Sequence, residues 1–170
     1  ASQMYRAYLG LDIAKQEGLY SVASEPQDYD AKGVTAKECA ACHATLDPLT
    51  YPFRNYNGIA SSRYETQYIP NRLEIFFPNV SPRITQTPER GVIFGKPVND
   101  LREWAKVAAD SDAFAISTTT DYWKLLVGHA PKPEENAEFV ATWKRFQSVH
   151  NYRVQRLLHD IVKTEAYGAP

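Results

Sequence analysis

The chain has 170 residues, 44% of them hydrophobic, enough for one domain with a real core and too apolar for a disordered segment. Its 19 basic and 20 acidic residues leave a formal charge of −1, so no basic surplus points to nucleic acid as a partner. No run of about 18 apolar residues occurs, and no membrane span is expected.

In chain order, residues 3–16 read as a helix. Met4, Tyr8 and Leu11 recur at i, i+4, i+7, and Tyr5, Leu9 and Ile13 form an adjoining stripe. So wide an apolar face predicts deep burial, with Gly18 as the end of the helix. Residues 20–34, polar and holding Pro26 and Gly33, read as a loop. A short helix follows. Thr35 and Glu38 have capping-box spacing at its start, and Asp47-Pro48 should stop it.

This short helix carries Cys39-Ala40-Ala41-Cys42-His43, and the chain has no other cysteine. C-x-x-C-H is the attachment spacing of c-type haem. Two thiols that add to the two vinyl groups of one porphyrin edge must stand about one helical turn apart, as i and i+3 do. The next residue then lies under the ring, where an imidazole nitrogen can reach the iron. A disulfide between Cys39 and Cys42 would close a tiny loop and staple little. A thioredoxin-like motif expects a βαβ context, which the sequence lacks. Zinc would need further ligands nearby, and the other histidines are distant. One covalently attached haem c, held by Cys39 and Cys42 with His43 on the iron, is therefore the expected cofactor. Some of the 11 Tyr, 7 Phe and 3 Trp would line it, the rest packing the core.

From Pro48 to Pro97 prolines fall at 48, 52, 70, 78, 82, 88 and 97, which predicts a long irregular middle segment. It could hold a small β-hairpin, Ile84–Thr87 against Val92–Phe94, with Glu89-Arg90-Gly91 between. A segment of that length should be held by packing on the porphyrin.

The last third reads as helical. Asp100 and Glu103 have capping-box spacing, and Leu101, Trp104, Ala105 and Ala108 make a stripe. Thr120 should cap a helix containing Tyr122, Leu125 and Leu126, ended by Gly128. Pro133 opens another through Phe139, Trp143 and Phe146. Val154, Leu157, Leu158, Ile161 and Val162 mark the last, with Gly168 beyond its end. The expected fold is mainly α: a cytochrome c-like helical haem domain over residues 1–170. Residues 1–97 form the attachment part, and residues 98–170 a helical part packing on it.

The stretch Cys39 to His43, Leu46-Asp47-Pro48-Leu49, Phe53, Asn55-Tyr56-Asn57-Gly58-Ile59 and Arg63-Tyr64 resembles the haem-binding domain of planctomycete-type cytochrome c proteins. Gly95 to Tyr167 resembles the helical domain that follows it there, through Leu101, Asp112-Ala113-Phe114, Leu125 to Gly128, Pro131, Glu134 and Tyr152 to Tyr167. The chain departs from the pattern at Thr50, where glycine is usual, at Arg54 and Asn57, where acidic residues are, and at His129, where arginine is common. The resemblance implies an exported bacterial haem protein, periplasmic or otherwise outside the cytoplasm. The first residues, Ala1 to Arg6, are no signal peptide, and a helical pattern starts almost at once. A chain cut from a longer precursor is expected.

For the sixth iron position Met4, the only methionine, is the first candidate, as a thioether suits an electron carrier of raised potential. His150, in a turn before the last helix, is the second. His159 should face solvent, and His129 should sit in a turn. Tyr51, Tyr56 and Tyr64 lie near the motif, so a tyrosine ligand and an open site are the further alternatives. Glu134-Glu135 and Asp110/Asp112 fall at helix starts or turns and read as structural. No catalytic constellation is visible. The expectation is a monohaem c-type cytochrome that transfers electrons between redox partner proteins. The alternative is a haem enzyme or a sensor of peroxide, oxygen or nitric oxide, with an open or labile sixth site.

Overall fold

Gly10 turns to φ +66° and ends the first helix, α1 (Ser2–Leu9), well before Gly18. Gly10 N–H still donates to Arg6 O at 3.1 Å and Leu11 N–H to Tyr5 O at 3.2 Å, a glycine-closed helix terminus. The computed structural model of the chain describes residues 1–15, 37–56, 67–72 and 87–168. Within them the side chains of residues 14, 37–42 and 44 are not described. Residues 16–36, with the predicted loop, the Thr35 cap and Gly18, lie outside the described residues, as do the predicted strand residues 84–86. Among the described residues the fold is mainly α-helical with one small antiparallel sheet.

The chain divides into two compact units. The first comprises Ala1–Ser2 and Asp12–Val107; the second comprises Gln3–Leu11 and Ala108–Pro170. Helix α1 is thus grouped with the C-terminal helices despite its place in the chain.

In the first unit, α2 (Lys37–Thr50) runs through Pro48 rather than stopping there. A proline in a helix removes one hydrogen bond and crowds the turn before it. Here Pro48 and Leu49 are buried, and Thr50 Oγ1 donates to Asp47 O at 2.8 Å, so packing and a local bond carry the last turn past the proline. A 3-10 turn, Tyr51–Phe53, follows directly.

The hairpin forms on the far side of the predicted strand. β1 (Gly91–Ile93) pairs with β2 (Lys96–Val98), in the register Gly91↔Val98, Val92↔Pro97 and Ile93↔Lys96. The connecting residues Phe94 and Gly95 have φ +50° and +72°, the signature of a two-residue turn whose twist matches the strands. β1 packs on α2, and Gly91 is what allows it. A Cβ there would stand 2.6 Å from Pro52 Cδ and closer still to the carbonyl oxygen of Pro48. Val92, Ile93 and Val98 join Leu49, Tyr51 and Trp104 in this unit's buried residues, with Phe53 edge-on to Trp104 at 5.1 Å.

The described parts of the irregular middle are held by the chain's own polar groups. Arg54 donates to Thr87 O, and Asn55 Nδ2 to Glu89 Oε1. Ile69 N–H donates to Asn55 O at 2.7 Å, and Tyr56 bridges Tyr68 with their rings 5.4 Å apart. Asn55 is itself buried, so two distant segments are fastened at one interior residue.

α3 (Leu101–Ala109) starts as its spacing predicts. Asp100 Oδ1 accepts from Glu103 N–H at 2.8 Å, while Glu103 Oε2 reaches back to the N–H of Asn99, one residue before the cap. Trp104 and Ala108 are buried; Ala105, predicted on the same stripe, is exposed.

In the second unit, α4 (Asp112–Val127) begins eight residues before Thr120. Ser111 is the cap, its Oγ accepting from Phe114 N–H at 3.3 Å. Thr120 lies mid-helix and donates its hydroxyl to Ile116 O at 2.8 Å, the back-bonding by which threonine is accommodated there. Gly128, at φ +88°, ends the helix as predicted. Pro133–Glu135 form a 3-10 turn that leads into α5 (Asn136–Ser148), burying Phe139, Trp143 and Phe146. Then come α6 (Val154–Ile161), burying Leu157 and Ile161, and a single turn, α7 (Glu165–Gly168). Val162, placed on the buried stripe by periodicity, follows the end of α6 and is exposed. α4, α5 and α6 pack on one another around Trp123, Trp143, Phe146, Leu157 and Ile161. Glu138 of α5 accepts from the N–H groups of Glu165 and Ala166 at 2.9 and 3.3 Å, which fastens α7.

Candidate haem-attachment site

Residues 39, 42 and 43 stand at i, i+3 and i+4 of one uninterrupted helix, α2. At 1.5 Å rise and 3.6 residues per turn, the backbone positions of Cys39 and Cys42 are about one turn apart, the separation that two vinyl groups on one porphyrin edge require. The helix continues beyond the motif to Thr50, and β1 packs on its C-terminal part, with Gly91 against Pro48.

His43 is 41% exposed at its side chain, whereas Asp47, one turn later, is 14% exposed. His43 Nδ1 lies 3.1 Å from Asp47 Oδ1. A carboxylate only accepts, so Nδ1 carries the proton and donates; in the neutral ring Nε2 then has a lone pair, and it has no partner among the described residues. Neutral imidazole with one nitrogen fixed by a carboxylate is the arrangement in which the other nitrogen ligates a metal. The donor set therefore fits a covalently attached haem: two cysteines at thioether spacing and a half-exposed histidine whose tautomer suits iron. In the sequence Asp47 reads as a helix stop; its spacing of four from His43 is the signal for this contact.

Met4 and His150, the first two candidates for the sixth ligand, belong to the other unit. Met4 is on α1, where Tyr5 and Leu9 are buried; Met4 itself is only partly buried, and Tyr8 of its stripe is 47% exposed. The deeper of the two predicted stripes is thus the one without the methionine. His150 Nε2 lies 2.7 Å from Asp160 Oδ2, an oxygen that also accepts from Arg145 Nε at 2.9 Å. This staple closes the turn between α5 and α6, where Asn151 and Tyr152 adopt positive φ. Tyr152, strained in the backbone, is packed edge-on against Phe146 at 5.3 Å and tilted against Phe114 at 5.6 Å.

The remaining histidines lie where the sequence placed them. His159 is exposed, and His129 sits in the turn after Gly128, with Nδ1 2.9 Å from Ala130 O. Of the carboxylates read as structural, Glu135 accepts from Lys132 N–H at 3.0 Å and Asp112 from Gln147 Nε2 at 3.1 Å. Tyr51 is buried, Tyr56 pairs with Tyr68, and Tyr64 lies outside the described residues.

A separate cleft of about 380 Å³ in the first unit is lined by Pro52, Tyr56, Tyr68, Glu89, Asp100, Leu101 and Arg102. Its carboxylates are already engaged, Glu89 by Asn55 and Asp100 by the start of α3. Among the described residues no three His, Cys, Asp or Glu side chains are grouped to hold a bare metal ion, and no helix is long and apolar enough to cross a membrane. No protein-family model, no curated protein and no solved structure matches the chain.

Proposed function

We propose that this chain is a monohaem c-type cytochrome of cytochrome c-like fold, transferring electrons between redox partner proteins as a module of a larger exported protein. The observation that carries the reading is the continuity of α2 through Cys39, Cys42 and His43, with His43 Nδ1 taken by Asp47. In this reading Cys39 and Cys42 tether one haem c and His43 Nε2 binds its iron. The bound haem supplies a one-electron couple. The protein's part is to anchor it, fix the imidazole and surround the ring with apolar side chains.

The sixth ligand decides between electron transfer and small-ligand chemistry. Met4 would raise the potential and keep the site closed in both oxidation states. One observation favours the second reading, a haem enzyme or sensor with an open site. His150 Nε2 is already bonded to Asp160, so coordination through that nitrogen requires breaking the staple. Met4→Ala distinguishes the cases. Loss of the near-infrared sulfur-to-iron band and new binding of carbon monoxide mark a methionine-closed carrier. Carbon monoxide binding by the unmutated protein marks an open site.

Covalent attachment is tested first. Haem should survive acid–acetone extraction, and the intact mass should exceed that of the polypeptide by one haem. Replacing Cys39 and Cys42 together by Ala should abolish both. Extraction that strips the haem, or a mass that shows none, overturns the reading.

A further inference from the structure

The Asp47 side chain has a buried half with no partner among the described residues. Its Oδ1 meets His43 Nδ1 at 3.1 Å, but Oδ2 is buried with no hydrogen-bond partner among the described residues. No lysine or arginine among those residues pairs with it. An exposed i, i+4 pair on a helix contributes little to stability, and a carboxylate removed from water without full pairing is costly. Helix stability alone is therefore a poor reason for this arrangement. The backbone that carries the carboxylate is also held in place. Pro48 directly after it is buried, and Thr50 Oγ1 bonds its carbonyl at 2.8 Å.

We propose that Asp47 is a positioning residue for the iron. It fixes the His43 ring with Nε2 free for ligation, and makes that nitrogen a strong donor that favours ferric over ferrous iron. This rests on the proposal that His43 is the axial ligand of a covalent haem. The physics is direct. Binding a cation through Nε2 makes the Nδ1 proton more acidic and strengthens its bond to a carboxylate. Negative charge is thereby drawn onto the imidazole. A fixed anion close to the iron also stabilises the higher oxidation state more than the lower, and incomplete solvation of Asp47 leaves that field poorly screened. A neutral carbonyl in the same place would orient the ring without this bias. Asp47 thus opposes the potential-raising effect of a thioether on the other side.

The test uses the full chain with its haem. Asp47→Asn keeps an acceptor oxygen and removes the charge. Haem retention, read by intact mass, should be unchanged. At a fixed solution potential the ferrous-to-ferric ratio should rise at least tenfold, which for one electron is 59 mV. A ratio within twofold of the unmutated protein overturns the proposal while leaving covalent attachment standing. A second measurement needs no variant. In the reduced protein, with carbon monoxide added where the sixth site is open, the ¹⁵N shift of His43 Nδ1 should lie toward imidazolate. The reference is the protein's own haem peptide ligated by added imidazole. An Nδ1 shift equal to the reference overturns the proposal even if the Asn variant fails to fold. Absence of haem from the unmutated protein's mass instead overturns the attachment reading on which the proposal rests.

Discussion

In the C-terminal unit Trp123, Leu157 and Ile161 have no solvent exposure, Phe146 almost none, and rings meet edge to face across α4 and α5. In the unit that carries α2, large buried side chains are joined by a different set of devices. A glycine lets a strand touch a helix end, and the interior Asn55 binds residues on two other segments. The helical unit rests on apolar area, which is non-directional and tolerates small shifts. The motif-bearing unit rests on close approaches and directed bonds, which tolerate few. If α2 carries a covalent haem as proposed, its anchors need a fixed spacing, and directed contacts suit that need better than area does.

The sharpest way to break this contrast is Trp123→Ala. Trp123 is fully buried, 5.5 Å from the Phe139 ring, in the middle of the helical core. Truncation should cost about 3–5 kcal/mol in denaturant unfolding, since a large cavity is left among α4, α5 and α6. The amides of those helices should exchange faster. A loss below about 1 kcal/mol would mean that this core does not carry the unit. Next in size is Gly91→Ala. The added methyl meets the Pro48 carbonyl and the Pro52 ring, neither of which is the far end of a flexible side chain. The hairpin must move off α2, at a cost of about 1–3 kcal/mol, the range for overpacking. Exchange at Val92 and Ile93 should report it.

The same contrast explains what could be read in advance. Phe139, Trp143 and Phe146 recur with helical period, and all three are buried as that period requires. Apolar area leaves a periodic trace in a sequence. Directed contacts leave almost none. Nothing in the pattern around Gly91 says that Pro48 will lie against it, and nothing about Asn55 says that its amide will reach Glu89. β1 pairs with β2 through Phe94-Gly95, a two-residue turn that no glycine or asparagine pair announces, while the predicted partner residues 84–86 lie outside the described residues. Threonine favours caps, which predicts one at Thr120, yet the helix runs through that threonine-rich stretch and the Thr120 hydroxyl bonds back to the preceding turn. Met4 shared α1 with two stripes, and composition could not say which would be buried. At the site, the cysteine and histidine spacing was plain in the sequence. Asp47 also fits a helix stop, and that second fit masks its i, i+4 spacing from His43, which the helical turn over residues 43–47 makes a 3.1 Å contact.

The smallest expected effect separates two kinds of glycine, one from each unit. Gly128 sits at φ +88° and has nothing within 4 Å of where a Cβ would be, so space is free and only the dihedral is special. Gly91 is the converse: the space is filled, and no positive φ is involved. Gly128→Ala should therefore cost about 1 kcal/mol, the left-handed penalty at a helix C-terminus. Gly128→Asn should recover part of that, because asparagine tolerates this conformation. At position 91 the order reverses. Asn is larger than Ala, and its tolerance of positive φ is of no use there, so Gly91→Asn should cost more than Gly91→Ala. Four unfolding curves decide the matter. If Asn is the better substitute at both positions, the α2 unit is held by backbone conformation rather than by close approach. If Ala is the better substitute at both, the end of α4 is governed by packing, and the difference drawn between the units disappears.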